Sequence, residues 1–486
     1  MEKKSKKNSI AKNIIHLFYS TALSSVLNAA ALIVLAYYLQ SHYYGMFSVV
    51  LAFAMIMGYF TDAGLSDIVL REGSKKEVNT SILISSYVKM RMGLLVVTFL
   101  CGFFIIHLSN SGQREIIQTA YFLIIPMVTG IALQSIGTTY FQLIEKMQYY
   151  GLIRIISSVC LVITLSVGML FHLNPLIICT LYGLSYFAAG IFGVGLVSKN
   201  VHIRLKGPFH KGLLQNLGSF TLGGLIFVML PQLGPLVLEK TITLKEVGLF
   251  AVAYRIPQAL QQIPFIVAGA YYPVLFRSFN NNLLEDNLKY NIELLKIISI
   301  VGMAMTIPFY YMSDSIIDLL FGEKWIQAAF PLKVLSLMLT LQAINIALAD
   351  GLTSRALQSY RTGVQLISVI SGIFLYIFFS KSHGVSGAAL AGVMIEAISL
   401  LGFWLCIPNR WIIAKRVIIP YLTFFIICLG FIDFFLDSLP FLAAVINFIL
   451  LALLVFLDKE NMEKINGYIK PLRINQKWKS KKSEGV

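Results

Sequence analysis

Apolar residues fall along this chain in long blocks rather than in the short alternation of a surface that faces water. A helix crossing a hydrocarbon layer needs roughly 20 such residues at 1.5 Å rise each. Blocks that meet this requirement cover 14–39, 43–62, 82–107, 115–136, 151–171 and 174–197 in the first half. Others cover 213–238, 247–275, 293–312, 328–350, 361–380 and 384–407, and two more cover 415–436 and 439–457. The pattern predicts an all-α polytopic membrane protein of about fourteen transmembrane helices. The first block follows a basic run, Lys3 to Lys12, and exceeds a signal-peptide core with no small-x-small site close behind. It therefore reads as a retained first helix.

Composition supports lipid as the solvent. Hydrophobic residues make up 57% and charged residues 13%, with a mean hydropathy of +0.77. A water-soluble chain covers itself with about a quarter charged residues. With alternating spans and a cytoplasmic N-terminus, the outer loops hold only Arg114, Lys240, Lys245, Lys324 and Lys381. Arg255 and Lys333 fall inside spans, and the rest of the 39 Lys and Arg collect on the inner side. That asymmetry places both termini in the cytoplasm. It also accounts for the net charge of +16 as headgroup anchors, so no nucleic-acid partner is expected.

A repeat divides the chain. Leu35 to Ser48 matches Leu238 to Ala251, and in both a helix end is followed by Gly-x-Phe-small, Gly45 and Phe47 in one, Gly248 and Phe250 in the other. LQSI at 133–136 is echoed by LQAI at 341–344, Gln148-x-Tyr150 by Gln358-x-Tyr360, and LYG at 181–183 by LAG at 390–392. An offset of six spans keeps the two halves in one orientation, a parallel repeat about the membrane normal. The expected organisation is a basic N-tail (1–13), a six-helix lobe (14–197), an inter-lobe loop (198–212), a second six-helix lobe (213–407), a trailing helix pair (408–457) and a basic C-tail (458–486). Two lobes facing one another imply a central cavity that opens alternately to either side.

Several chemistries are missing. The five cysteines stand singly in apolar runs, and no metal-ligand spacing is present. There is no HExxH and no GxxxxGK[ST], so neither metal nor nucleotide chemistry of those kinds is expected. An enzyme such as a polysaccharide polymerase would need a sizeable outer loop or a domain with paired carboxylates, and none is visible.

The sequence resembles the oligosaccharide repeat-unit flippases, the Wzx-type polysaccharide transporter family of the multidrug/oligosaccharidyl-lipid/polysaccharide exporter superfamily. The features that carry the resemblance are Leu35-Ala-Tyr-Tyr-Leu39, Tyr44-Gly45-Met-Phe47-Ser48, Asp62-Ala-Gly64-Leu65-Ser66 and Leu70-Arg71-Glu72. The second half adds Val247-Gly248-Leu-Phe250, Ala253-Tyr254-Arg255, Leu320 to Trp325 and Gly384 to Ala389. Where many members carry an acidic residue and a Lys before the second-lobe loop, this chain has Glu239-Lys240. It lacks the outer arginines typical of the peptidoglycan-intermediate branch. The resemblance implies a flippase of the bacterial cytoplasmic membrane. Its cargo would be an undecaprenyl-diphosphate-linked oligosaccharide, moved from the cytoplasmic to the outer leaflet to feed O-antigen, capsule or exopolysaccharide synthesis. A polysaccharide polymerase and chain-length machinery would then be partners. A cation-coupled drug antiporter on the same fold is the alternative.

Such cargo would require fixed cations at membrane depth. Arg255 lies about 10 Å into its span from Gly248, where its fork either holds a phosphate bidentately or snorkels to headgroups. Arg91 and Arg71 are further cation candidates on the cytoplasmic side, with snorkelling or anchoring as their plain reading. Glu396 falls near the midplane, where snorkelling is difficult, and is a candidate ion-coupling site or charge partner. Asp350 and Asp62 are others, and Arg71–Glu72 and Asp350–Arg355 are candidate cytoplasmic gates. No cofactor is expected. Proton, sodium or potential coupling all stay open, since moving negative charge outward is downhill by about 2.3 kcal/mol per charge per 100 mV. Pro231, Pro235, Pro257 and Pro264 should bend or break the seventh and eighth spans, as hinges or as static kinks.

Overall fold

The structure, a computed structural model, describes residues 2–75, 78–204, 206–215 and 217–458. The basic tail from 459 onward lies outside the described residues. All regular elements among the described residues are helical. In chain order they are α1 (Glu2–Phe60), α2 (Leu65–Gly73), α3 (Thr80–Ser109), α4 (Arg114–Leu143), α5 (Met147–Leu170) and α6 (Pro175–Ser198). Then come α7 (Leu217–Met229), α8 (Leu233–Leu238), α9 (Leu244–Leu260), α10 (Gln262–Asn280), α11 (Leu284–Tyr311) and α12 (Ser313–Phe321). The last five are α13 (Ala329–Ser354), α14 (Gln358–Cys406), α15 (Arg410–Ile413), α16 (Ile419–Leu436) and α17 (Pro440–Leu457).

Among the described residues, 11 helices are long and apolar enough to cross a membrane, against the fourteen spans expected. The difference has local causes. Helix α1 runs 59 residues but is non-helical at Gln40 (φ 59°, ψ 175°), inside the expected gap between the first two spans. Helix α14 runs 49 residues with non-helical backbone at His383 and Gly384, inside the gap between the eleventh and twelfth. Each pair of expected spans therefore joins into one element, too long for a single hydrocarbon crossing. The seventh span is interrupted instead: a 3-10 turn, Leu230–Gln232, containing Pro231 separates α7 from α8. A further break at Gln261, between Pro257 and Pro264, separates α9 from α10. The breaks fall where missing amide donors open the helical ladder.

The chain divides into two compact units. One holds residues up to Ala259 with Ile317–Pro331 and Thr362–Ile395; the other holds Leu260–Ile316, Leu332–Arg361 and the chain from Glu396 onward. In the first unit α4 lies along α6. A Cβ at Gly130, Gly183 or Gly190 would meet backbone atoms of the facing helix, so this seam depends on their bare Cα atoms.

The second span ends earlier than expected. After Phe60 the chain turns through Ala63 (φ 49°) and Gly64 (φ 80°), and Arg71 and Glu72 ride on the separate short helix α2. Leu65, Ile68 and Val69 form its buried face, packed with Tyr87, Tyr140 and Ile153. The turn delivers Asp62 to Arg91. The guanidinium of Arg91 is fully buried: Nη1 pairs with Asp62 Oδ1 and donates to Tyr87 Oη (2.9 Å), and Nε donates to the Ala132 carbonyl (2.8 Å). Ser66 Oγ donates to the same Asp62 oxygen (2.7 Å), and Thr139 Oγ1 donates to Ser66 Oγ (3.0 Å). The snorkelling reading of Arg91 is therefore replaced. Its charge is met inside the protein because α2 and α4 close over it before it can reach headgroups.

In the second unit three polar ties at different depths join the trailing pair to the helices before it. Lys296 on α11 pairs with Asp458 (2.7 Å), which also accepts from Tyr421 Oη (2.8 Å). Asn447 donates to Tyr311 Oη (3.0 Å), which donates to the Leu429 carbonyl (3.2 Å). Lys333 pairs with Asp433 (2.9 Å), which also accepts from Tyr310 Oη (3.2 Å). Polar ties of this kind are strong where no water competes.

Removing one member of a buried ion pair leaves a charge without a partner. Arg91→Met should therefore lower stability by about 3–5 kcal/mol, whereas removing both charges in Arg91→Met/Asp62→Leu should cost less. Thermal unfolding in detergent measures this; equal midpoints for parent and Arg91→Met would refute it.

Candidate functional site

The cations sort by whether a carboxylate meets them. Arg91 has Asp62. Arg71 reaches Glu72 (3.2 Å) and the Gln215 carbonyl (3.2 Å), while the buried Glu72 carboxylate also receives Lys75 (2.6 Å) and faces His210 (3.6 Å). This cluster fastens α2 to the segment before α7. The same segment is held by Ser85 Oγ, which accepts from the Arg204 amide (3.0 Å), and by Ser86 Oγ, which accepts from the His210 amide (2.9 Å). Asp350 does not pair with Arg355, as expected from their proximity in sequence. It faces Arg361 (3.6 Å), and Arg355 Nε donates to Asn287 (2.6 Å). The turn at Ala356 (φ 60°) ends α13 and starts α14, bringing Arg361 back toward Asp350 while Arg355 turns to α11.

Three arginines that are not exposed have no carboxylate ion pair among the described residues: Arg355 in the second unit, held by Asn287, and Arg154 and Arg255 in the first. Arg255 sits about three turns into α9, half-buried, with Nη1 donating to Gln258 (2.9 Å). Its guanidinium is within hydrogen-bonding reach of Tyr44 and close enough to Tyr182 and Tyr186 to interact with both. Arg154 lies seven residues into α5, donates to Thr21 Oγ1 (3.4 Å) and covers the Tyr150 ring at 5.9 Å. Its charge too acts on Tyr186, so one phenol feels cations carried on two different helices. Gln134 on α4 fixes the α6 backbone there, donating to the Tyr186 carbonyl (2.9 Å) and to Ser157 Oγ (3.2 Å). The sequence reading missed Arg154, counting it with the cytoplasmic anchors. Its depth past Lys146, about 12 Å at 1.5 Å per residue, was the available signal.

Glu396 lies in the second unit, buried between α14 and α13. Gln342 Nε2 donates to one carboxyl oxygen (2.9 Å) and Asn345 Nδ2 to the other (2.9 Å), with a further bond from Asn345 to the Glu396 carbonyl (3.0 Å). Both amide oxygens, Gln342 Oε1 and Asn345 Oδ1, are buried and accept no hydrogen bond. The cluster offers oxygen acceptors to a proton or a small cation. Glu396 belongs to the second unit and Arg255 to the first.

The family model described as polysaccharide biosynthesis protein matches residues 10–279, more than half of the chain. The chain belongs to that family. Comparison with curated proteins gave no significant match. Several solved structures resemble this family member in fold. The "Lipid II flippase MurJ, inward closed conformation" superposes with a TM-score of 0.67 at 14% identity, over 90% of this chain and 98% of the other. The inward-facing conformation of a multidrug resistance MATE family transporter of the MOP superfamily gives 0.68 at 14%, over 83% and 98%. A MOP superfamily transporter from Pyrococcus furiosus, described by the reverse polarity of its binding pocket, gives 0.58 at 13%, over 84% and 96%. The all-α polytopic fold of this family member is that of transporters and a flippase.

The amide–carboxylate cluster yields a test. In Glu396→Leu both amide donors lose their acceptor, at a cost of about 2–4 kcal/mol. Glu396→Gln keeps one amide donating to the remaining oxygen, and rotation of the other amide lets its oxygen accept from the new NH2, so its cost should stay below about 1 kcal/mol. Thermal melts of the two variants that coincide would refute this arrangement.

Proposed function

We propose that the chain is an alternating-access flippase that carries a polyprenyl-diphosphate-linked oligosaccharide from the cytoplasmic to the outer leaflet of a bacterial plasma membrane. The reading rests on the family and on one observation, the two half-buried arginines of the first unit without a carboxylate pair, Arg154 and Arg255, whose charges both act on Tyr186. A cation left at membrane depth without a counter-charge is costly, and such residues mark the path of charged cargo. Two guanidinium forks present enough donors for both phosphates of a diphosphate, and the tyrosines offer flat faces and hydroxyls to a glycan. The lipid tail stays in the bilayer throughout. The supporting neighbours include a structure named as a lipid II flippase. A drug exporter that takes cations would be expected to expose carboxylates at this position, where the chain has arginines. In this reading Glu396 serves coupling, by exchanging a proton or sodium ion, and Pro231, Pro235, Pro257 and Pro264 serve as hinges. The basic termini face the cytoplasm. The two repeated lobes, 14–197 and 213–407, are the moving parts.

Deletion of the gene should cause the lipid-linked oligosaccharide to accumulate on the inner leaflet. Arg255→Gln and Arg154→Gln should each reduce flipping at least about tenfold, the loss of one charge-assisted phosphate contact. Arg255→Lys should retain more activity than Arg255→Gln. Flipping is read as outer-leaflet exposure of a labelled lipid-linked oligosaccharide in vesicles. Parental rates in both Gln variants would overturn the assignment, and full activity in Glu396→Gln would remove the coupling role.

A further inference from the structure

The repeat in the sequence has a physical counterpart that the transport reading does not use. Beyond its break at Gln40, α1 crosses α9 at Gly45 and Gly248. A Cβ added at Gly45 would run into the carbonyl oxygen of Leu244 and the amide of Gly248. One added at Gly248 would run into the carbonyl oxygen of Ser41 and the amide of Gly45. The same offset of 203 relates Gly45 to Gly248 and Ser41 to Leu244. The contact therefore maps onto itself when the halves are exchanged, as an isologous interface does. A local twofold axis passes through it.

Each glycine turns its Cα toward a carbonyl on the other helix, the arrangement of Cα–H···O contacts between closely packed helices. The layer just beyond the crossing is closed: Tyr44, Phe47, Ser48, Phe250 and Ala251 are all buried. Ser48 Oγ in that layer has no hydrogen-bond partner. A buried hydroxyl without a partner destabilises the closed arrangement and gains water when it opens. Arg255 lies two turns further along α9.

We propose that the Gly45–Gly248 crossing is a gate: a backbone-only seal on the end opposite the basic loops, which parts when Arg255 is exposed to that side. The device suits a contact that must break repeatedly. It has no ion pair to separate, and the two contacts are equivalent by symmetry, so they are lost together. The atoms a methyl would meet are backbone and cannot rotate aside, so a side chain at either glycine holds the seal open. The inference rests on the chain being a transporter but not on its cargo.

Thiol labelling tests the gate without any cargo. In full-length protein with Cys101, Cys160, Cys179, Cys406 and Cys428 replaced by Ala, Ser48→Cys is exposed to a membrane-impermeant maleimide from each face of sealed vesicles. With both glycines intact, Ser48→Cys should label far more slowly than Tyr43→Cys, which lies on the exposed side of the same turn. Gly45→Ala and Gly248→Ala should each raise its labelling from the face opposite the basic loops about tenfold, a shift of the closed–open ratio by that factor. Unchanged labelling in either folded variant would overturn the proposal, as would labelling that rises only from the basic-loop face. Should one alanine variant not fold, the other still decides. Equal labelling of Ser48→Cys and Tyr43→Cys in the glycine background would overturn the seal by itself. None of these outcomes bears on whether Arg154 and Arg255 hold a diphosphate.

Discussion

A hydrocarbon solvent accepts no hydrogen bonds, and that constraint shapes nearly every feature of this chain. Backbone groups must be satisfied within their own segment, so the described residues fold as helices and little else. Interruptions are tolerable only where protein or an interface can take over the freed groups. Those in this chain fall at a polar turn (Gln40), at His383–Gly384, or at prolines 231, 257 and 264. The same constraint acts on side chains. Asp62, Asp433 and Asp458 each accept from a lysine or arginine and from a tyrosine, because a lone ion pair at depth would leave lone pairs bare.

Against that background the incomplete sites are informative. Most buried charges in this molecule are neutralised by a neighbour, and their work is to fasten helices together. Arg154 and Arg255 are answered only by neutral hydroxyls, an amide and aromatic rings. Glu396 is answered only by amides whose own oxygens are left over. A protein that could have supplied counter-charges, as it does for Arg91, and does not do so here keeps electrostatic capacity in reserve. Arg154 and Arg255 belong to the first unit and Glu396 to the second, where buried Arg355 is likewise met by an amide, that of Asn287.

Much of the fold was legible because the constraint is local. Block length marked the spans, and the gaps at 39–43 and 380–384 held the breaks in α1 and α14 even though helix continues on both sides. Prolines at 231, 257 and 264 marked the broken segments, since a missing donor acts at its own position. The candidate site was less legible because a charge partner is a tertiary fact. Nothing near Arg91 in sequence names Asp62, which arrives through the turn at Ala63–Gly64. Asp350 was matched with Arg355 by proximity, but on a helix approaching its end the residue beyond the turn is the nearer in space. Arg154 was counted with the interface because a basic residue near a span end is usually an anchor. Its orientation toward Tyr186 depends on how α5 packs against α6.

The glycine crossing unites the two kinds of information. In sequence, Gly45 and Gly248 are merely matching positions in a faint repeat, and a repeat alone says that two halves share a fold. In the structure they become a place where the halves touch through backbone. Side-chain contacts diverge as each half specialises: Phe47 meets Tyr182 while its counterpart Phe250 meets Tyr376. Backbone contacts do not depend on which side chains are present. A seal built only of backbone therefore keeps its twofold form while the rest of each lobe changes, one half carrying Arg91 and its network, the other Arg255. Symmetry that has faded from the side chains persists at a contact where a side chain cannot fit.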